Sequence, residues 1–147
     1  MHISLPIVET MYRKLGGRQV FAEEVTSEAD LARLIYRRIP LRVLTYVKRG
    51  GFSDQEIHQF IIPERTQRHR KAKKQPLTIE QSDRIVRLTR IQVLAEDVFG
   101  DKQKANRWLR EKLTMLDRKS PLEAAQTENW GACGGADTGE HRLGAAA

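Results

Sequence analysis

The densest chemistry in this 147-residue chain lies between Arg65 and Lys74, where six of ten residues are Lys or Arg and none is acidic. An arginine fork pairs in bidentate fashion with guanine edges, Thr and Gln reach bases or phosphates, and lysine neutralises phosphate charge. The run therefore has what a nucleic-acid reader needs, and His69 inside it is suited to assist a phosphate contact. The same composition also serves as a solvated charged face or, in a eukaryotic protein, as an import address. On spacing alone these readings stand level.

Elsewhere the chemistry is sparse. His2, His58, His69 and His141 show no metal-ligand spacing and sit in no nucleophile or acid–base motif. His58, beside Ile57, reads as a surface or half-buried structural residue. A single cysteine, Cys133, excludes an internal disulfide and a cysteine zinc cluster. Glu96, Asp97 and Asp101 fall where one helix ends and another begins, so capping explains them better than a cation site. "GACGGADTG" shares only glycine content with a phosphate loop and lacks "GK[ST]". The expectation is a protein that is not an enzyme and uses no metal and no cofactor.

The net charge of +7 points to a polyanionic partner: nucleic acid, anionic membrane or an acidic protein. No stretch approaches the roughly 20 apolar residues that cross a bilayer, and the start lacks the order of a secretory signal. A cytoplasmic protein off the membrane is expected. With 39% apolar and 31% charged residues the core must be small.

The elements that must hold these residues are helical throughout. Residues 1–27 contain "KLGGRQVF", whose double glycine breaks any period, and read as a weakly ordered leader. Ser27, with Asp30 three residues on, caps a helix that stops before Pro40. Pro40 then suits the first turn of a helix ended by Gly50-Gly51. Ser53 and Glu56 form a capping box before a short helix, and Pro63 starts the basic one. Thr78 opens the longest helix, apolar at Ile85, Leu88, Ile91, Leu94, Ala95, Val98 and Phe99, and Gly100 closes it. Asp101 starts a helix carrying Ala105, Trp108 and Leu109, and Ser120-Pro121 starts a last short one. Leu94, Phe99 and Trp108 are expected in the core. After Glu128 the Gly-rich residues 129–147 keep no period and read as a tail. The fold class is all-α, with about seven helices. Ser53 to Lys74 has the outline of a helix-turn-helix whose recognition helix is Pro63 to Lys73.

The ordered motifs Gln81-Ser82-Asp83-Arg84, Arg87-Leu88, Val98-Phe99-Gly100-Asp101, Arg107-Trp108-Leu109 and Ser120-Pro121-Leu122 resemble the Xre/MbcA/ParS family of antitoxins, partners of RES-domain toxins. Upstream, "RRIPLRVLTYVKRGGFSDQEIHQFIIPERTQRHRKAKKQPLT" is similar to the family's Xre-like helix-turn-helix half. Together the likeness covers about residues 30–128. It implies a helix-turn-helix half over 28–77 and a helical toxin-binding half over 78–128. It implies further that the chain neutralises an NAD-consuming RES toxin by blocking its active site, self-associates as a homodimer or larger complex with the toxin, and binds its own promoter DNA. Carried onto this sequence, Arg65, Thr66, Arg68 and Arg70 read or position DNA, and Lys71, Lys73 and Lys74 neutralise phosphate. Toxin contacts are expected from Lys104, Arg107, Arg110, Glu123 and Glu128. A stand-alone helix-turn-helix regulator without a toxin is the alternative.

Two departures from the family stand out. Lys112-Leu113 and Asp117-Arg118 replace a Pro-Asn pair and a double glycine, so that loop is expected to take a different shape. After Glu128 the family's final helical pattern is missing. Codons compatible with the tail, read one nucleotide later from Asn129, permit that pattern, which suggests a one-base insertion.

Overall fold

A computed structural model describes residues 4–126. Among these residues it is all-α, as expected: eight α-helices and two single 3₁₀ turns, with one isolated β-bridge between Leu113 and Lys119. The helices are α1 (Ser4–Lys14), α2 (Glu28–Arg37), α3 (Val43–Arg49), α4 (Asp54–Phe60), α5 (Glu64–Ala72), α6 (Ile79–Phe99), α7 (Lys102–Leu109) and α8 (Pro121–Ala124).

Local chemistry sets most of the boundaries. Ser27 with Asp30, Ser53 with Glu56, Thr78 with Gln81 and Ser120 with Glu123 each form a reciprocal capping box. These boxes satisfy backbone N–H groups that a first helical turn leaves free. Gly100, at φ +67°, closes α6 in the left-handed conformation that glycine adopts at least cost. Pro40 does not begin an α-helix as expected. It opens a tighter turn in which Val43 N–H donates to the Pro40 carbonyl at 3.1 Å, and α3 follows.

The long helix α6 is the axis of the molecule. At 21 residues it spans about 32 Å. Ile85, Val86, Leu88, Thr89, Ile91, Gln92, Val93 and Ala95 are all buried, covering most of its circumference. Helices α1, α2 and α7 pack on it. Within the stretch expected to be a weakly ordered leader, the described residues from Ser4 to Ser27 pack into this core. Met11 of α1 and Leu15 just after it are fully buried, Lys14 pairs with Glu96 at 3.1 Å, and Tyr12 donates to the Glu23 carbonyl at 2.8 Å. The double glycine ends α1 rather than disordering it. Gly16 sits at φ +110°, and a Cβ there would lie 2.3 Å from Val20 Cγ2.

Polar ties fasten the remaining segments to this axis. The buried Ser82 Oγ accepts from Ile39 N–H at 2.9 Å. Arg90 forks onto Glu28 at 2.6 and 2.8 Å, Gln92 donates to the Gly50 carbonyl, and Arg87 donates to the carbonyls of Ala125 and Gln126. The halves on either side of residue 78 thus share one core.

Two expectations about packing are corrected. Leu94 and Phe99 are not core residues: each is 39% exposed, and Trp108 is half-buried at the core's edge. The apolar stripe of α6 is wider than its neighbours can cover at its C-terminal end. In the loop after α7, Asp117 and Arg118 adopt φ of +62° and +65°, the conformation natural to glycine. A left-handed L-residue costs roughly 1–2 kcal/mol, and Asp bears it better than Arg. Replacing Arg118 with Gly is expected to raise stability by about 0.5–1 kcal/mol after glycine's own entropy cost. Urea denaturation of the full chain checks it.

Candidate functional site

The basic helix α5 follows α4 after a three-residue turn, Ile61 to Pro63. None of its own residues is buried, so its placement comes from its two ends. Ile61 and Ile62 anchor the entry. Leu77, fully buried, anchors the exit, with its N–H donating to the Ile39 carbonyl at 2.9 Å. His58, half-buried as expected, adds a 3.0 Å bond to Gln67 across the turn. The helix is a basic rod held by its ends and left open to solvent along its outward face.

Helical spacing divides the expected DNA-binding residues between two faces. Arg65, Arg68 and His69 recur on one face with Ala72, and all are exposed. Arg68 makes a 3.4 Å pair with Glu64, exposed enough to contribute little. Arg70, Lys71 and Lys74 recur on another face with Gln67 and look toward the start of α3. Thr66 and Lys73 lie between these faces, Thr66 half-buried and Lys73 exposed. Arg70 also donates to the Pro76 carbonyl at 2.9 Å, which ties down the chain after the helix. Arg65, Arg68 and His69 are thus free to meet a duplex side-on, while Arg70 has a structural duty as well.

The expected toxin contacts scatter. Lys104 and Arg107 are exposed on α7. Arg110 instead fastens the molecule internally: its Nε donates to Glu56 at 2.7 Å, its Nη2 to Glu56 at 2.9 Å and to the Gly51 carbonyl at 3.0 Å, and its guanidinium lies over Phe52. Glu123 caps Ser120 and pairs with Lys112 at 2.9 Å. Glu128 lies outside the described residues, as do Cys133, His141 and the whole of 129–147.

The carboxylates in these ties are held ionised. Burial raises the pKa of Glu56, but the Arg110 bonds and the Ser53 N–H outweigh it and bring the group below its ordinary 4.5. Glu28 is lowered chiefly by its bond to Arg90, and Glu123 chiefly by the Ser120 N–H. A carboxylate depressed in the folded state binds protons more readily when unfolded. Its stabilisation is present above the unfolded pKa and is lost as pH falls from there through the folded value. Glu56→Gln is therefore expected to cost about 1–3 kcal/mol at pH 7. That deficit should shrink as pH falls below 4.5, which denaturation at stepped pH would measure.

One feature was not anticipated from sequence. Ile91, Leu94, Ala95 and Val98 of α6, with Phe99 and Trp108, line an open apolar groove of about 270 Å³. Val98 is 77% exposed, and the Phe99 and Trp108 rings sit 5.7 Å apart. A branched aliphatic residue that open, on a stripe continuous with the core, is what an interaction surface leaves behind in a free subunit. The available signal was the width of the apolar stripe on α6, which exceeds one helix's coverage. Among the described residues no cluster of His, Cys, Asp or Glu is arranged to hold a metal, and no helix is long and apolar enough to cross a membrane.

Comparison with known proteins maps onto these two surfaces. Residues 30–90 match the family model described as the antitoxin Xre-like helix-turn-helix domain, which contains α5. Residues 94–147 match the model described as the antitoxin Xre/MbcA/ParS C-terminal toxin-binding domain, which begins at the groove and continues past Glu128. Antitoxin Xre of Pseudomonas putida is 38% identical over 81 residues, covering 55% of this chain and 50% of that protein.

Proposed function

Because this chain belongs to the Xre/MbcA/ParS antitoxin family, we propose that it neutralises a RES-type, NAD-consuming toxin and represses its own operon by binding promoter DNA. Neutralisation is steric: the chain covers the entrance to the toxin's active site and supplies no catalytic residue. DNA is engaged through the outward face of α5, with Arg65 and Arg68 toward bases and Lys73 toward phosphate. Self-association to a homodimer or larger complex with the toxin brings two such helices to one operator, and the work is done in the cytoplasm.

The observation that carries the reading is the pairing of two uncovered surfaces of opposite character. The basic rod of α5 lies within the helix-turn-helix match, and the apolar groove of α6 and α7 opens the toxin-binding match. The groove suits an apolar segment of the toxin, since nothing charged lines it and Val98 projects from its rim. Lys104 and Arg107, exposed on the adjoining helix, supply a basic border.

The test is co-expression with the adjacent gene product, which this reading expects to be a RES-type toxin. Growth rescue and co-purification are expected. An unrescued culture, with the toxin recovered free, would count against the reading. Replacing 129–147 by the sequence of the neighbouring frame is expected to improve rescue if an inserted base has altered the tail; equal rescue by both chains argues against the insertion.

A further inference from the structure

A second cleft, of about 460 Å³, opens between the start of α3 and the inner face of α5. Its walls combine two chemistries. Arg42, Arg70, Lys71 and Lys74 supply positive charge, and no acidic side chain lines it; Leu41 and Leu44 are among the apolar groups that complete it. Four cations around one concavity repel one another; Arg70 and Arg42 also tie backbone carbonyls, those of Pro76 and Val20.

Two details accompany this charge. The Nε–H of Arg70 is buried and has no hydrogen-bond partner, although the same guanidinium donates to the Pro76 carbonyl. A buried donor without an acceptor is rare and costly in a folded protein. The second detail is Lys74. α5 ends in a Schellman closure, in which Gln75 N–H donates to the Arg70 carbonyl at 2.8 Å and Lys74 N–H to the Lys71 carbonyl at 3.1 Å. The left-handed position of that motif favours glycine, yet Lys74 occupies it at φ +56°. Glycine would close the helix at less cost but would remove an ammonium group from the cleft.

We propose that this cleft is a phosphate-binding site, in which Arg70, Lys71 and Lys74 hold a phosphoryl group and Leu41 and Leu44 contact what it is attached to. The volume suits a molecule of nucleotide size. The phosphate comes either from a free nucleotide or from the backbone of a duplex lying along α5. The DNA source rests on the reading of α5 as the DNA-binding helix; the free-nucleotide source does not.

Adenosine 5′-monophosphate and inorganic pyrophosphate are titrated into the full chain while the Arg70 Nε–H and Lys74 amide resonances are followed by NMR. In parallel, promoter duplex is titrated at several salt concentrations. Lys74→Gly and Lys71→Gln are measured beside the wild type. Lys74→Gly is expected to melt no lower than wild type, since it relieves the left-handed lysine, so a loss of binding is not a loss of fold. A free-nucleotide site predicts that the two small probes shift both resonances and bind roughly tenfold more weakly to either variant. A DNA site predicts weak small probes but a duplex salt slope reduced by about 0.9 in each variant. If neither probe shifts these resonances and the duplex slope is unchanged in both variants, the proposal is overturned.

Discussion

Replacing Val98 with Asp is expected to abolish capture of the toxin while leaving the antitoxin folded and able to bind DNA. Val98 is 77% exposed in the free chain, and substitutions at such positions usually change stability by no more than about 0.5 kcal/mol. In the proposed complex the same position is covered, and a carboxylate there has no cation among the groove's lining residues. An uncompensated charge buried in a contact costs about 3–5 kcal/mol, or between two and four orders of magnitude in Kd. Calorimetric titration of toxin into each chain measures this directly. Leu94→Ala, which trims the same wall without adding charge, should give a smaller loss in the same direction. If Val98→Asp binds toxin as tightly as wild type does, the groove is not the toxin's seat.

The second large effect is on DNA. Arg68 is exposed on the outward face of α5, paired only weakly with Glu64. Arg68→Ala is expected to cost about 1–3 kcal/mol of promoter affinity and to relax preference at one base pair. Lys73→Ala should weaken all sequences alike and lower the salt slope by about 0.9, the signature of one lost phosphate contact. The two variants therefore separate base reading from charge. Fluorescence anisotropy with the promoter and with a scrambled duplex, each at several salt concentrations, tells them apart. Equal losses on both duplexes for Arg68→Ala would assign it to the phosphate backbone instead.

What the sequence made legible was local. Ser27 with Asp30, Ser53 with Glu56, Asp101 and Ser120 each announce a helix start, because an N-cap is satisfied within three residues and needs no tertiary partner. Gly100 likewise marks the end of α6. The basic run of α5 was evident, but its division into two faces was not. That division depends on α3 lying on one side, which no periodicity within residues 63–74 encodes. The double glycine at 16 and 17 was misread for a related reason. It interrupts a period, which resembles disorder, whereas here it follows a helix whose Met11, with Leu15 just beyond its end, is buried against the rest of the fold.

The same logic accounts for the errors at the candidate site. Leu94, Phe99 and Trp108 carry helical spacing typical of core residues, and spacing alone cannot show that α7 leaves part of the stripe uncovered. Arg110 resembles a free cation at the end of a helix. Only the fold brings Glu56, 54 residues away in sequence, into its fork. Charged residues read as partner contacts were in part structural, and apolar residues read as structural form the open surface.

One measurement bears most directly on the claim that a single chain joins promoter DNA to a toxin through separate surfaces. Promoter duplex is immobilised, loaded with the chain, and then exposed to the proposed RES-type toxin. The account predicts that wild type loads and captures toxin, that Val98→Asp loads fully but captures none, and that Arg65→Ala/Arg68→Ala fails to load. Capture of toxin by the loaded Val98→Asp chain at the wild-type level, or undiminished loading of the double arginine variant, would contradict it.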